Sequence, residues 1–426
     1  MLAFLRRNPQ FQKLWGAQIV SSTGDWLNRI AVLALIDQLG GTGQAAFTGL
    51  LFALEYALRT LPTTIFSGLA GPLADRLSRR TLMIVADVVR AAVVLCLLLV
   101  DRPEELWLLY ALIFLQMSVG IFFDSARSGA LPNTVQRSDL HLAYALSAAT
   151  FSAMLSVGAF LGGVLVSRIG IQGVFLCDAA TYLLSACFLI RLELPATPRQ
   201  PQPLRARDVL RFTDVRRGFG HVRDLGIWPI LFSKVLWSPC GGFLVLFPIL
   251  ARRYEPEGSV EELSWLISLF FIARGVGTGI GPLISKRLLG SHRASLIRQA
   301  WGGMLLGGLG YLALIFAPNL ELSLLAVTIA HVGGSAQWVG STTYWQQAIE
   351  DGFRGRVFAC EFALMTLSFA VFAFVGGITY DLTLNLEATL GLLVVVSLAC
   401  SQVARVWFRR LPGAGGEDLT VRPRST

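Results

Sequence analysis

Charge is what this sequence has least of. Only 15% of its 426 residues are Asp, Glu, Lys or Arg, while 54% are hydrophobic. Soluble domains carry about 25% charged residues. The shortfall, with a mean hydropathy of +0.61, excludes a water-soluble enzyme and a disordered chain. Histidine is also scarce, and the four present show no ligand spacing. The six cysteines (Cys96, Cys177, Cys187, Cys240, Cys360 and Cys400) lie in apolar stretches and form no C-x-x-C. That pattern argues against a disulfide framework and a zinc site. No G-x-x-x-x-G-K-[ST] loop occurs, so a P-loop nucleotide site is absent.

What is present is a set of long apolar runs. A bilayer core needs about 20 apolar residues per helix. Twelve such stretches run roughly over 12–37, 45–69, 81–100, 105–126, 141–167 and 172–191, then 228–250, 261–283, 295–317, 321–345, 356–380 and 388–408. Runs such as Val93 to Val100 and Leu392 to Val396 have no polar face and suit lipid or a bundle interior. The first span is long and interrupted by polar residues, so it is read as a span and not a signal peptide.

The net charge of +9 and pI of about 9.6 suggest nucleic-acid binding until the 36 basic residues are placed. Only Arg102, Arg168, Arg252 and Arg253 fall on the side opposite the N-terminus, and Arg29, Arg59, Arg90, Lys234 and Arg274 fall inside spans. The others sit on the side of the N-terminus. Such a one-sided distribution sets topology and puts both termini in the cytoplasm.

Between residues 192 and 227 the composition changes. Pro195, Pro198, Pro201 and Pro203 precede an Arg-rich stretch, which reads as a cytoplasmic linker, extended first and then helical. It separates a six-span bundle over 1–191 from a second over 228–410, with a cytoplasmic tail over 411–426. The halves echo each other. Ala159-Phe160-Leu161-Gly162-Gly163 in span 5 matches Ala373-Phe374-Val375-Gly376-Gly377 in span 11, and Gly71-Pro72-Leu73 matches Gly281-Pro282-Leu283. Since each half begins and ends on one side, the repeats run parallel about an axis along the membrane normal. Two-bundle transporters with a central site are built this way.

The loop after span 2 reads Gly71-Pro72-Leu73-Ala74-Asp75-Arg76-Leu77-Ser78-Arg79-Arg80. It resembles the G-x-x-x-D-R-x-G-R-[RK] signature of the major facilitator superfamily, with Ser78 in place of the second glycine. The segments Leu14 to Gln18, Gly24 to Asn28 and Arg354-Gly355-Arg356-Val357-Phe358 are similar to its bacterial drug-exporter branch, which includes macrolide-efflux and enterobactin-export proteins. The resemblance covers the whole chain. It implies an all-α integral membrane protein with twelve transmembrane helices in two six-helix bundles. It further implies a gating set of Gly71, Asp75, Arg76, Arg79, Arg80 and Asp124, in which the motif's acid and following arginine couple to an acid at the cytoplasmic end of span 4. Antiporters of the family carry G-P-x-x-G-G in span 5. Here Gly158, Gly162 and Gly163 are kept and Ala159 replaces the proline. These glycines, with Gly376 and Gly377, allow helices to pack closely. Gln116 stands where the family has an arginine in span 4.

Ionisable groups inside a span cost roughly 2.5–3.5 kcal/mol each on insertion scales, so each needs a reason. Asp25 with Arg29, Glu55 with Arg59, and Asp87 with Arg90 are three or four residues apart, a spacing that puts each couple on one helix face. Span 1 is polar around Asp25 and Asn28. Asp25, Glu55, Arg29, Arg59 and Glu361 are therefore the expected proton-coupling groups. Lys234, Arg274 and Glu361 lack local partners and must pair across helices or line a cavity. With Asn28, His331, Gln337 and Trp338, the cations Lys234 and Arg274 make the expected substrate cavity. Pro239, Gly241, Gly242 and Pro248 should bend span 7.

The sequence thus predicts a secondary transporter that exports an amphipathic organic solute, of drug, macrolide, siderophore or secondary-metabolite type, in exchange for protons. It would use no cofactor beyond the proton gradient. The expected setting is a bacterial inner membrane, with the bilayer and a small-molecule substrate as partners, no nucleic acid, and a monomeric state. A facilitator or importer of lipid-like solutes shares these features. A receptor or enzyme on the same architecture fits them less well, because no nucleophile–base pair or sizeable soluble domain is evident.

Overall fold

A computed structural model describes residues 2–40, 47–194, 212–290 and 292–412. Among these residues the chain is helical, with no strand. In lipid every backbone N–H and C=O must find a partner within the protein, and a helix supplies all of them locally. Among the described residues eight helices are long and apolar enough to cross a membrane, and the described part of each of the twelve stretches named above is largely helical.

The chain forms two compact units, Met1–Arg211 with Val245–Ile272, and Phe212–Leu244 with Ala273–Thr426. In the first unit a short helix, Leu2–Arg7, precedes α1 (Pro9–Leu39), α2 (Thr48–Arg76), α3 (Arg79–Cys96), α4 (Leu106–Ala130) and α5 (Leu140–Ile190). α5 contains both the fifth and sixth spans, divided at Gly170, whose φ of 72° and ψ of 174° are not helical. Glycine adopts that backbone without a Cβ penalty. Ser78 accepts a hydrogen bond from Thr81 N (3.3 Å) and caps α3. The serine that departs from the family signature thereby satisfies an otherwise open helix N-terminus.

α1 packs along α5, α2 along α4, and α3 against both α4 and α5. The α1–α5 approach depends on glycine, since a Cβ on Gly158 would fall 2.6 Å from Trp26 Cβ, and one on Gly162 would fall 2.9 Å from Ile30. α3 shows how the unit is turned inside out relative to a soluble bundle. Val85, Val88, Val89 and Leu95 are exposed, as lipid requires, while Asp87 and Arg90 are buried with Met83 and Ala91.

The second unit begins with α6 (Phe212–Asp224), the helical end of the linker. The linker's proline-rich portion lies outside the described residues. Span 7 is broken into Trp228–Leu231, Ser233–Leu236, Pro239–Val245 and Phe247–Arg252, the last of which belongs to the first unit. Pro229 and Pro248 stand in the first turns of two of these pieces, where the missing N–H is tolerated. α7 (Val260–Leu289) starts in the first unit and ends in the second. It is followed by α8 (Arg293–Ile315), α9 (Leu320–Ala348), α10 (Asp351–Thr383) and α11 (Leu386–Phe408). Asn319 and Asn385 cap α9 and α11 by accepting from Leu322 N and Ala388 N. α8 packs on α9 and α11, and α10 on α6 and α11. Gly376 lies against Gly242, 3.0 Å from a Cβ built on it, and Gly377 is buried.

Candidate functional site

Among the described residues, polar groups are buried together inside the helices of each unit. In the first, Glu55 of α2 is paired with Arg59 one turn later, as the spacing requires, and with Arg29 of α1 at 3.8 Å. Arg59 also donates to Asn28 Oδ1 (3.1 Å). The Arg29 guanidinium stands over the rings of Phe271 (5.0 Å), Trp26 and Tyr56 (both 5.6 Å), contacts that hold a cation away from water. The Asp25–Arg29 couple suggested by spacing does not form. Asp25 turns to α5, accepting from Tyr182 Oη (2.5 Å), and to α3, where Arg90 lies 3.7 Å away. The helix places positions 25 and 29 on one face, but the neighbouring helices carry better partners for both.

Arg90 joins the remaining groups. It donates to Asp87 (2.5 Å) and Ser21 (3.2 Å), and its guanidinium lies over Tyr182 (4.3 Å) and Phe123 (4.6 Å). Ser185 donates to the other Asp87 oxygen (2.6 Å). Gln116, at the position the family fills with arginine, donates to Tyr182 Oη (2.9 Å) and so connects α4 to Asp25 through the tyrosine. Asp178 of α5 also belongs to this centre. It is fully buried, and sequence reasoning passed over it. The signal available was an acid in the middle of span 6 with no basic residue three or four positions away.

In the second unit Lys234 and Glu361 are both inaccessible to solvent and bonded at 2.7 Å. Lys234 donates further to Thr342 (2.9 Å) and stands 4.0 Å above the Trp338 ring, while Trp345 Nε1 donates to the second Glu361 oxygen (3.1 Å). Gln337 donates to Ser233 (3.1 Å). His331 is hydrogen-bonded to Tyr311 (2.9 Å), and Arg274 acts on it electrostatically. Lys234, Glu361 and Trp338 are thus brought together, with Gln337 beside them through Ser233. His331 and Arg274 form a separate group with Tyr311 and Cys240.

At the end of α3 nearer the N-terminus, Arg79 donates to the Gly129 carbonyl (2.5 Å) and Arg80 to the Ile190 carbonyl. Asp124 is exposed and pairs with Arg127 (3.4 Å), which also reaches Gln18 (3.1 Å) and Ser147 (2.9 Å). The structure therefore does not bring Arg79 onto Asp124. Gly71 and Arg76 close α2, and the Asp75 side chain lies outside the described residues. At the opposite end of the first unit, Arg252 holds Asp37 through both carboxylate oxygens, its Nε at 2.9 Å. That pairing was not foreseen.

Polar centres held inside apolar helices, in the layout described, invite comparison with known transporters. Residues 14–257 match the Major Facilitator Superfamily. The chain belongs to this superfamily. A superfamily transporter of Bacillus subtilis (strain 168), YfiS, is 25% identical over 389 residues, covering 87% of each chain. A Bacillus subtilis (strain 168) protein named as a bacilysin exporter, BacE, is 24% identical over 80% of this chain and 81% of its own. Macrolide efflux protein A of Streptococcus pyogenes is 21% identical over 85% and 87%. Solved structures with the same fold include a bacterial homologue of the human lysosomal transporter Spinster, with a TM-score of 0.70, 15% identity and coverage of 94% and 98%. A POT family transporter in complex with 5-aminolevulinic acid has a TM-score of 0.73, 11% identity and coverage of 94% and 96%. This superfamily member is a membrane transporter and not an enzyme.

Proposed function

We propose that the protein exports an amphipathic organic solute in exchange for protons, by alternating access across a bacterial inner membrane with both termini in the cytoplasm. One observation carries this reading: titratable carboxylates and guanidiniums are buried at mid-helix in the first unit, linked from α1 to α5 through Asp25, Tyr182 and Arg90. Charges at that depth are retained where they do work, and exchanging a proton is the work carboxylates do. The solute class is supported by the exporter and efflux names of the relatives. Support also comes from Trp338 and Phe362, partly exposed aromatic rings beside Lys234, a surface that suits a bulky cargo better than an ion. The protein acts as a monomer in the bilayer, without a bound cofactor, and with Asp75, Arg79 and Asp124 at its cytoplasmic gate.

Proteoliposomes with an imposed pH gradient test this, with erythromycin as the probe. Accumulation driven by the gradient is expected, and it should fall in Asp25→Asn and Glu55→Gln. Flux indifferent to the gradient in the native protein, and unchanged in both variants, refutes proton exchange. Absence of erythromycin flux refutes the macrolide-like cargo.

A further inference from the structure

Counting the charges at the centre of the first unit leaves an imbalance. Among the described residues, the carboxylates of Asp25, Glu55, Asp87 and Asp178 lie with the guanidiniums of Arg29, Arg59 and Arg90, while the nearby Asp124 is balanced by Arg127. Glu55 has two cations to itself, and Asp87 has Arg90 together with a hydrogen bond from Ser185. Asp25 shares Arg90 at the longer distance of 3.7 Å and receives the Tyr182 hydroxyl. Among the described residues Asp178 has no ion-pair partner. Its Oδ1 receives a weak hydrogen bond from Thr181 (3.4 Å), and its buried Oδ2 has no hydrogen-bond partner.

The surroundings of Asp178 are closed and incompletely satisfied. The charged groups facing it are Asp25 from α1, Arg59 from α2 and Arg90 from α3, with Tyr182 on its own helix. Asp124 of α4 acts on the same centre through Asp25. A second buried acceptor in the cluster is also open, since Gln116 Oε1, on a side chain with no exposure, has no partner. The α1 backbone presses on the acid at Gly24, where a Cβ would fall 2.3 Å from Asp178 Oδ1 and 2.0 Å from Thr181 Oγ1. The residue next to Gly24 is Asp25, whose side chain keeps 34% of its exposure. One acid of the cluster is therefore partly exposed, and the other is fully buried.

We infer that Asp178 is the proton-carrying group of the first unit, loaded by way of Asp25. This rests on the proton-exchange reading above and names its residue. Adding one proton to the Asp178 carboxylate forms one O–H bond and cancels the single excess negative charge. A buried carboxylate without a cation is costly, whereas its neutral acid is not. Asp25 is the exposed end of the relay, and Tyr182, one turn after Asp178 on α5, is hydrogen-bonded to Asp25. Arg90 remains paired with Asp87 in both states. Because Gly24 fits α1 against Asp178, movement of α1 changes the surroundings of this acid directly.

The test is pH-difference infrared spectroscopy of the purified full chain in lipid nanodiscs, which reads the C=O stretch of protonated carboxylic acids. The native protein should show a band from a buried acid, lost in Asp178→Asn, kept in Asp178→Glu at a shifted frequency, and kept in Asp25→Asn with slowed exchange. A band that survives in Asp178→Asn, or no such band in any form, overturns the inference. If Asp178→Asn is poorly folded, Gly24→Ala keeps every titratable group and should shift the band's midpoint by pressing on the acid; an unmoved midpoint counts against the site. Erythromycin transport separates this result from the reading beneath it. Loss of gradient-driven accumulation in Asp178→Asn with exchange retained supports both. Gradient-driven accumulation retained in that variant refutes Asp178 and leaves proton exchange standing. An Asp178 band with no gradient-driven accumulation in the native protein refutes proton exchange and leaves the proton site standing.

Discussion

Changing Glu361 to Gln leaves Lys234 with no counter-ion in a place that water does not reach. The two side chains have no exposure and meet at 2.7 Å. Removing one partner of a buried pair costs about 3–5 kcal/mol, mostly because the other charge is stranded. Lys234 retains Thr342 as an acceptor and the Trp338 face at 4.0 Å. A desolvated cation–π contact is worth about 2 kcal/mol, so the loss should fall near the lower end, about 3 kcal/mol. Lys234→Met strands Glu361 with only the Trp345 N–H as donor and should destabilise by a similar amount. The double variant strands no charge, because two uncharged groups of similar volume replace the pair, and it should be at least as stable as either single variant. Unfolding of the three variants and the native protein in one detergent gives the cycle. If the double variant loses the sum of the single losses, the pair is not coupled and the reasoning fails.

Other consequences can be checked in the same preparations. Gly158→Leu drives a side chain into Trp26, and overpacking of this kind should lower stability by about 1–3 kcal/mol; an unchanged melting temperature would contradict the α1–α5 approach seen at 2.6 Å. Ser78→Ala removes the α3 cap and should destabilise by about 1 kcal/mol, with Ser78→Asp restoring the loss. Arg252→Met breaks the two-oxygen grip on Asp37 and should destabilise by about 1–3 kcal/mol, as loss of a charged hydrogen bond does. Adding Asp37→Leu should recover much of that loss, and failure to recover it would show that the two residues act independently.

The apolar runs alone determined the helices. Lipid leaves a backbone no alternative to internal hydrogen bonds, so a stretch of about 20 apolar residues is a helix wherever its neighbours are. The break in span 7 was readable for a similarly local reason, since Pro239 and Pro248 cannot donate a ladder hydrogen bond. The Glu55–Arg59 and Asp87–Arg90 pairs were legible because a helix fixes which residues three or four apart share a face. The motif after span 2 was sufficient to place the chain in its superfamily.

Partners from different helices were decided only by the tertiary structure. Local spacing offered Arg29 to Asp25, yet packing of α1 on α5 and α3 gave that acid Tyr182 and Arg90, and gave Arg29 to Glu55. Lys234 and Glu361 were visible as charges lacking neighbours, but only the fold joined them. Asp37 with Arg252, and Asp178 beneath Gly24, carried no local sign of their surroundings. Sequence determines which groups enter the membrane, because that depends on each helix alone. Which of them face one another depends on how helices far apart in the chain come to lie side by side, and the balance of charge in the buried centre is set there.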